Sequence, residues 1–168
     1  NIAVLLNITP DHLDRYDHKM QNYVNAKFRI IRNQTECDSF IFWEDDPVIA
    51  AQLKTLKVES QMLPFSESHE QGACAYTDNG NLTICPKGHE GLTMPVGELS
   101  LPGLHNLYNS MAAGLSASLL DIKKEVIRKA LADFQAVEHR LEYVDTVDDV
   151  VYINDSKATN RSEERRVG

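Results

Sequence analysis

Residues 2–6, Ile-Ala-Val-Leu-Leu, form a continuous apolar run closed by Asn7 and Pro10. That pattern predicts a strand buried on both faces of a parallel sheet. Helical spacing follows, because Met20, Val24, Phe28 and Ile31 recur along one face and Asp17 is placed to cap a helix over residues 17–33. Residues 39–43 read as the next strand. Asp46-Pro47 opens a second helix through Val48, Ala51 and Leu53, with Asp as cap and Pro tolerated in the first turn. A further short strand is expected at residues 58–63.

After Gly72 the rhythm changes. Residues 73–76 and 82–85 flank Asp78-Asn79-Gly80, a hairpin-turn signal. Residues 92–101 add a third extended stretch, so a small antiparallel sheet is expected beside the parallel one. Two helices follow, over residues 104–120 and 122–134. The second carries Ile122, Val126, Ile127, Ala130, Leu131 and Phe134 on one face. Residues 141–147 and 150–153 complete a strand pair around Asp148-Asp149. The fold class is α/β, a mostly parallel sheet with flanking helices plus a small antiparallel sheet.

Composition narrows the function. The 168 residues are 42% hydrophobic, enough for a real core, and carry a net charge of −8. A pI near 5.2 argues against a nucleic-acid binder that relies on a basic surface. Cys37, Cys74 and Cys85 form no CxxC pair and leave an odd count, which reads as reduced thiols of a cytoplasmic protein. No apolar run reaches membrane-spanning length and no signal peptide is present, so no membrane partner is expected. The chain has no initiator methionine and opens directly into a strand, so truncation is expected. Residues 161–168 are charged and without periodicity. One back-translation of them resembles a sequencing-adapter read, so an artefactual tail is expected there and is set aside from the fold reading.

Four clusters hold candidate chemistry. Asn7-Ile8-Thr9-Pro10-Asp11-His12 lies just past the carboxyl end of a buried strand, where open α/β sheets place ligands. Asp11 and His12 offer oxygen and nitrogen donors to a divalent metal; a polar turn satisfied by its own backbone is the plainer alternative. Lys27 falls beside the apolar stripe of its helix. There it either snorkels outward, as spacing alone favours, or has a buried task. Asn106 and Asn109 lie three apart at a helix start after Pro102-Gly103. They either read a base edge or ribose or serve the helix start itself. Glu138-His139-Arg140 and Asn154-Asp155-Ser156-Lys157-Ala158-Thr159-Asn160 flank the last hairpin, with charges suited to phosphate or carboxylate. A solvated turn remains the alternative there.

NITPDHLDRY, AKFRI, LPGLHNLYNSMAA, EHRLE and INDSKATN occur in this order. Together they resemble the Mur ligases, most closely the members that add D-glutamate to UDP-N-acetylmuramoyl-L-alanine in bacterial peptidoglycan precursor synthesis. The resemblance covers residues 1–160. It implies an incomplete P-loop-type central domain at residues 1–136 and the start of a Rossmann-like C-terminal domain at 137–160. It also implies ATP and Mg2+ as cofactors, an acyl-phosphate intermediate, the two small-molecule substrates just named, and a cytoplasmic monomer without nucleic-acid partners. By the same resemblance His12 is a metal ligand and Lys27 a lysine carbamylated by carbon dioxide for magnesium. Asn106, Asn109, Arg140 and Asp155 then lie near the adenine nucleotide. Lys157, a catalytic candidate, and Thr159 flank the incoming glutamate, with His139 and Asp11 nearby.

The family's Gly-rich phosphate loop is missing from this sequence. The 168 residues alone are therefore expected to lack ligase activity. The same gap supports the alternative of a non-catalytic α/β module that binds a nucleotide or a partner. Folylpolyglutamate synthesis is a distant variant of the same chemistry.

Overall fold

The computed structural model describes every residue except 69–71, 136–141 and 158–168. The chain divides into two units, Asn1–Asp133 and Phe134–Gly168.

In the first unit β1 (Ile2–Leu5), β2 (Ser39–Trp43) and β3 (Gln61–Phe65) pair in parallel, with Val4 opposite Ile41 and Ile41 opposite Leu63. The strand expected at 58–63 thus starts and ends later. β4 (Ala75–Asp78) joins β3 in parallel through the pair Phe65 and Ala75, and β5 (Asn81–Ile84) and β6 (Leu92–Pro95) continue antiparallel. The strands after Gly72 therefore extend the parallel set into one six-stranded sheet, in the order β1-β2-β3-β4-β5-β6. The β4–β5 turn has φ 47° at Asn79 and 77° at Gly80. Both are left-handed, as a two-residue hairpin with right-handed strand twist requires.

Helices cover both faces of this sheet. α1 (Met20–Phe28) and α2 (Pro47–Leu53) give Tyr23, Val24, Phe28 and Ile49 to a cluster with Ala3, Leu5, Phe40 and Phe42. α3 (Leu104–Leu119) and α4 (Lys124–Asp133) give Met111, Leu115 and Ile127 to a second cluster with Ile41, Leu63, Phe65 and Ile84. The two-residue strand period explains why Phe40, Ile41 and Phe42 are all buried in sequence: the phenylalanines face one helix layer and Ile41 the other. Gly114 sets the spacing of α3, since a Cβ there would lie 2.2 Å from Ile84 Cδ1.

Two expectations need correction. Asp17 does not cap a helix over 17–33. His12, Asp17 and His18 all have positive φ, so the chain makes a short 3-10 turn at Leu13–Tyr16 and only then begins α1, which Lys19 precedes as cap. The α4 stripe is only partly covered. Ile127 is buried and Leu131 packs at the edge, whereas Ile122, Val126 and Phe134 are exposed, because α4 presents a single row to the cluster beside Gly114.

The second unit contains β7 (Glu142–Val147) paired antiparallel with β8 (Val150–Asn154), with an irregularity at Val144. Asp148 and Asp149 both have positive φ, giving this hairpin the same turn geometry as the first. The expected boundary after residue 136 lies outside the described residues. No helix among the described residues is long and apolar enough to cross a membrane.

Candidate active site at the carboxyl edge of the sheet

The loop leaving β1 is held from beneath by an aspartate. Ile8 is 3% exposed, and its N–H donates to Asp46 Oδ2 at 2.9 Å. Asp46, also buried, turns its other oxygen to the N–H groups of Val48 and Ile49 at 2.8 and 3.0 Å and so caps α2. The sequence marked Asp46 as a cap; its grip on the β1 loop depends on strand order and carried no local signal.

From that anchor the loop runs to Asp11, half-buried, and His12, exposed, whose Oδ2 and Nε2 lie 3.4 Å apart. This is long for a hydrogen bond and becomes an ion pair only when the ring is protonated. His12 sits in the left-handed region, φ 48° and ψ 36°, and its carbonyl accepts the Arg15 N–H at 3.0 Å, opening the 3-10 turn. A non-glycine residue held in that region carries strain of the kind found at ligand-binding loops.

Lys27 is exposed, and its Nζ lies 5.2 Å from the centroid of Tyr23. Tyr16, at the end of the His12 turn, meets the same Tyr23 ring edge-on at 5.1 Å. Tyr23 thus meets both Tyr16 and Lys27, and the lysine takes the snorkelling posture that its spacing favoured. Asp11 and His12 supply one oxygen and one nitrogen donor. Among the described residues no group of three or more His, Cys, Asp or Glu side chains gathers around a metal position.

On the other face, α3 brings its first turns to the same edge. Tyr108 stacks on Trp43, the last residue of β2, at 4.5 Å, and lies 6.4 Å from Phe65, the last residue of β3. His105 meets Tyr108 edge-on at 6.3 Å. Asn106 donates from Nδ2 to the Pro102 carbonyl at 2.8 Å, which is helix-start chemistry, while Asn109 is exposed. Sequence reading missed Trp43, Tyr108 and Asp45. Asp45 accepts from Trp43 Nε1 at 3.0 Å, Ser66 Oγ at 3.0 Å and the Glu67 N–H at 2.9 Å. The lone tryptophan followed by Glu-Asp-Asp was the available signal.

Cys74 and Cys85 end the β4–β5 ladder, where the Cys85 N–H donates to the Cys74 carbonyl at 2.7 Å. Burial pushes the Cys74 thiol up, and the neighbouring Cys85 and Glu44 add to it; burial also raises Cys85. All three cysteines are free. Two surface cavities, of about 350 and 580 Å3, lie elsewhere and contain none of the candidate residues.

In the second unit Asp155 and exposed Lys157 follow β8. The turn is set by Asn154, which donates to Glu142 Oε2 at 3.2 Å and accepts the Ser156 N–H at 3.2 Å. His139, Arg140 and Thr159 lie outside the described residues.

Residues 1–117 match the Mur ligase middle domain. A UDP-N-acetylmuramoylalanine--D-glutamate ligase of Bacteroides fragilis is 56% identical over 160 residues, which is 95% of this chain but only 36% of that protein. Among solved structures, MurF from Acinetobacter baumannii superposes with a TM-score of 0.70 at 22% identity, covering 98% of this chain and 35% of that one. MurF ligase from Thermotoga maritima in complex with ADP gives 0.62 at 19% identity, covering 92% and 35%. At such identities the structures speak for the fold, and the sequence match speaks for descent: this chain belongs to the Mur ligase middle domain family.

Proposed function

We propose that this chain is part of an ATP-dependent ligase that joins D-glutamate to UDP-N-acetylmuramoyl-L-alanine. The observation that carries this reading is the 56% identity over 160 residues to a ligase of that name. It is supported by a metal-competent pair, Asp11 and His12, on a loop held at the carboxyl edge of the sheet. Residues 1–136 would form part of the ATP-binding central domain and residues 137–160 the start of the C-terminal one. The protein would act as a cytoplasmic monomer.

The reaction needs activation, because a carboxylate is a weak electrophile with a poor leaving group. Phosphoryl transfer from ATP supplies the leaving group, and Mg2+ neutralises charge developing on the transferring oxygens. His12 would bind the metal through a ring nitrogen, and Asp11 would lie beside it toward the substrate. Lys27, exposed in this structure, is accessible to carbon dioxide. The ammonium first gives up a proton; the neutral amine then adds to the carbon of carbon dioxide and loses a second, so that a cation becomes an oxygen anion suited to magnesium. Asn106 and Asn109 would face the adenine nucleotide, with Arg140 and Asp155. Lys157, His139 and Thr159 would serve the glutamate side.

The test is phosphate release by the purified protein that contains this chain, supplied with ATP, Mg2+ and UDP-N-acetylmuramoyl-L-alanine. Release that requires D-glutamate, with the amide product in the mass spectrum, supports the reading. Release indifferent to the amino acid, or no release, overturns it.

A further inference from the structure

Two consecutive aspartates follow the strand at the centre of the parallel set, and each reaches a different neighbour. β2 lies between β1 and β3. Asp46 receives the Ile8 N–H of the loop leaving β1, while Asp45 receives Ser66 Oγ and the Glu67 N–H of the loop leaving β3. Asp45 lies in the turn after β2 and Asp46 caps α2, and from these two positions their carboxylates reach opposite flanks of the strand. We propose that Asp45-Asp46 is a two-sided clamp, with Asp46 acting as a positioning residue for the Asp11-His12 loop.

The physical case rests on Asp46. Its carboxylate is 3% exposed and has no cationic partner among the described contacts; three backbone N–H groups satisfy it instead. Two of those belong to the first turn of α2, so the position of Oδ2 is referenced to a helix and to β2 at once. Ile8, itself in the core, passes that reference along four residues to His12, whose left-handed backbone needs a fixed start to persist. A cap alone would need one oxygen. The second oxygen is what makes Asp46 more than a helix cap.

Asparagine separates the two duties. In Asp46→Asn the remaining oxygen still caps α2, but an NH2 group faces the Ile8 N–H, donor against donor. Asp46→Ser keeps a cap with no second arm, and serves if the asparagine variant folds poorly. Asp45→Ala, at an exposed position, releases only the β3 loop. Asparagine would be uninformative at Asp45, because Ser66 Oγ can accept from its amide.

The metal part of this inference rests on the magnesium reading above, so the experiment has two arms on the folded chain. Amide hydrogen exchange by NMR is the first. In either Asp46 variant Ile8 exchanges about tenfold faster, the value for one lost charge-assisted hydrogen bond. Val48, Ile49 and Glu67 keep wild-type rates, and the His12 Cα shift leaves its left-handed value. In Asp45→Ala the Glu67 amide is released and Ile8 is not. Unchanged Ile8 exchange, or equal loosening of both loops by either substitution, overturns the clamp.

The second arm is Mn2+ broadening of the His12 ring signals. It requires more Mn2+ in the Asp46 variants than in wild type or Asp45→Ala. Failure of Mn2+ to broaden His12 in the wild type sinks the magnesium reading, and the exchange arm then decides the clamp by itself.

Discussion

The Ile8 N–H donates to Asp46 Oδ2 at 2.9 Å across 38 positions of sequence, joining the loop after β1 to the helix after β2. Both residues are buried, so water cannot replace either partner. Asp46→Ala removes the α2 cap, costing about 1 kcal/mol, and leaves a buried donor unsatisfied, costing about 1–3 kcal/mol. The expected loss of unfolding free energy is about 2–4 kcal/mol by urea denaturation. Asp46→Ser should lose less, because its hydroxyl keeps the cap. Equal losses would mean that the cap contributes nothing, and a serine variant as stable as wild type would mean that the Ile8 bond contributes nothing.

His12 is exposed and no core contact depends on its ring, so His12→Ala should leave the melting temperature of the chain within a degree or two of wild type. In the protein that contains this chain, the same substitution is expected to lower kcat by at least about a hundredfold, the scale of losing direct support for a metal. Lys27→Gln should act similarly. Purging carbon dioxide should slow the wild-type protein, and bicarbonate should restore it. Lys27→Gln should ignore both treatments. Wild-type activity that is indifferent to bicarbonate would remove the carbamate from the mechanism.

The raised thiols of Cys74 and Cys85 set their reactivity, because the thiolate is the nucleophile. Iodoacetamide should modify exposed Cys37 first at pH 7. Labelling of Cys74 should keep accelerating as pH rises above 9, the usual thiol value. Peptide mapping by mass spectrometry reads the order directly. Fast labelling of Cys74 at pH 7 would show that its burial does not hold in solution.

Local pattern was enough for most elements. The run at residues 2–6, the Asp46-Pro47 start and the Asn79-Gly80 turn each carry their own physical cause within a few residues, and the structure holds a strand, a capped helix and a hairpin there. The Asp17 helix start failed because capping preference says nothing about the two left-handed residues that turn the chain before α1. The α4 stripe was read correctly as apolar. How much of it is covered depends on which row meets the sheet, and that is not a property of the helix.

The candidate site divides along the same line. Motif order alone pointed to His12, Lys27 and Asn106, because each chemistry-bearing residue sits in a short segment readable by itself. Sequence by itself determined the strands, the turns and the family of this protein, since these follow from neighbours along the chain. Only the tertiary structure decided that Asp46 holds Ile8, that Asp45 holds Glu67 and that Tyr108 stacks on Trp43. Those partners lie 38, 22 and 65 positions apart and meet only because parallel strands deliver their carboxyl ends to one edge.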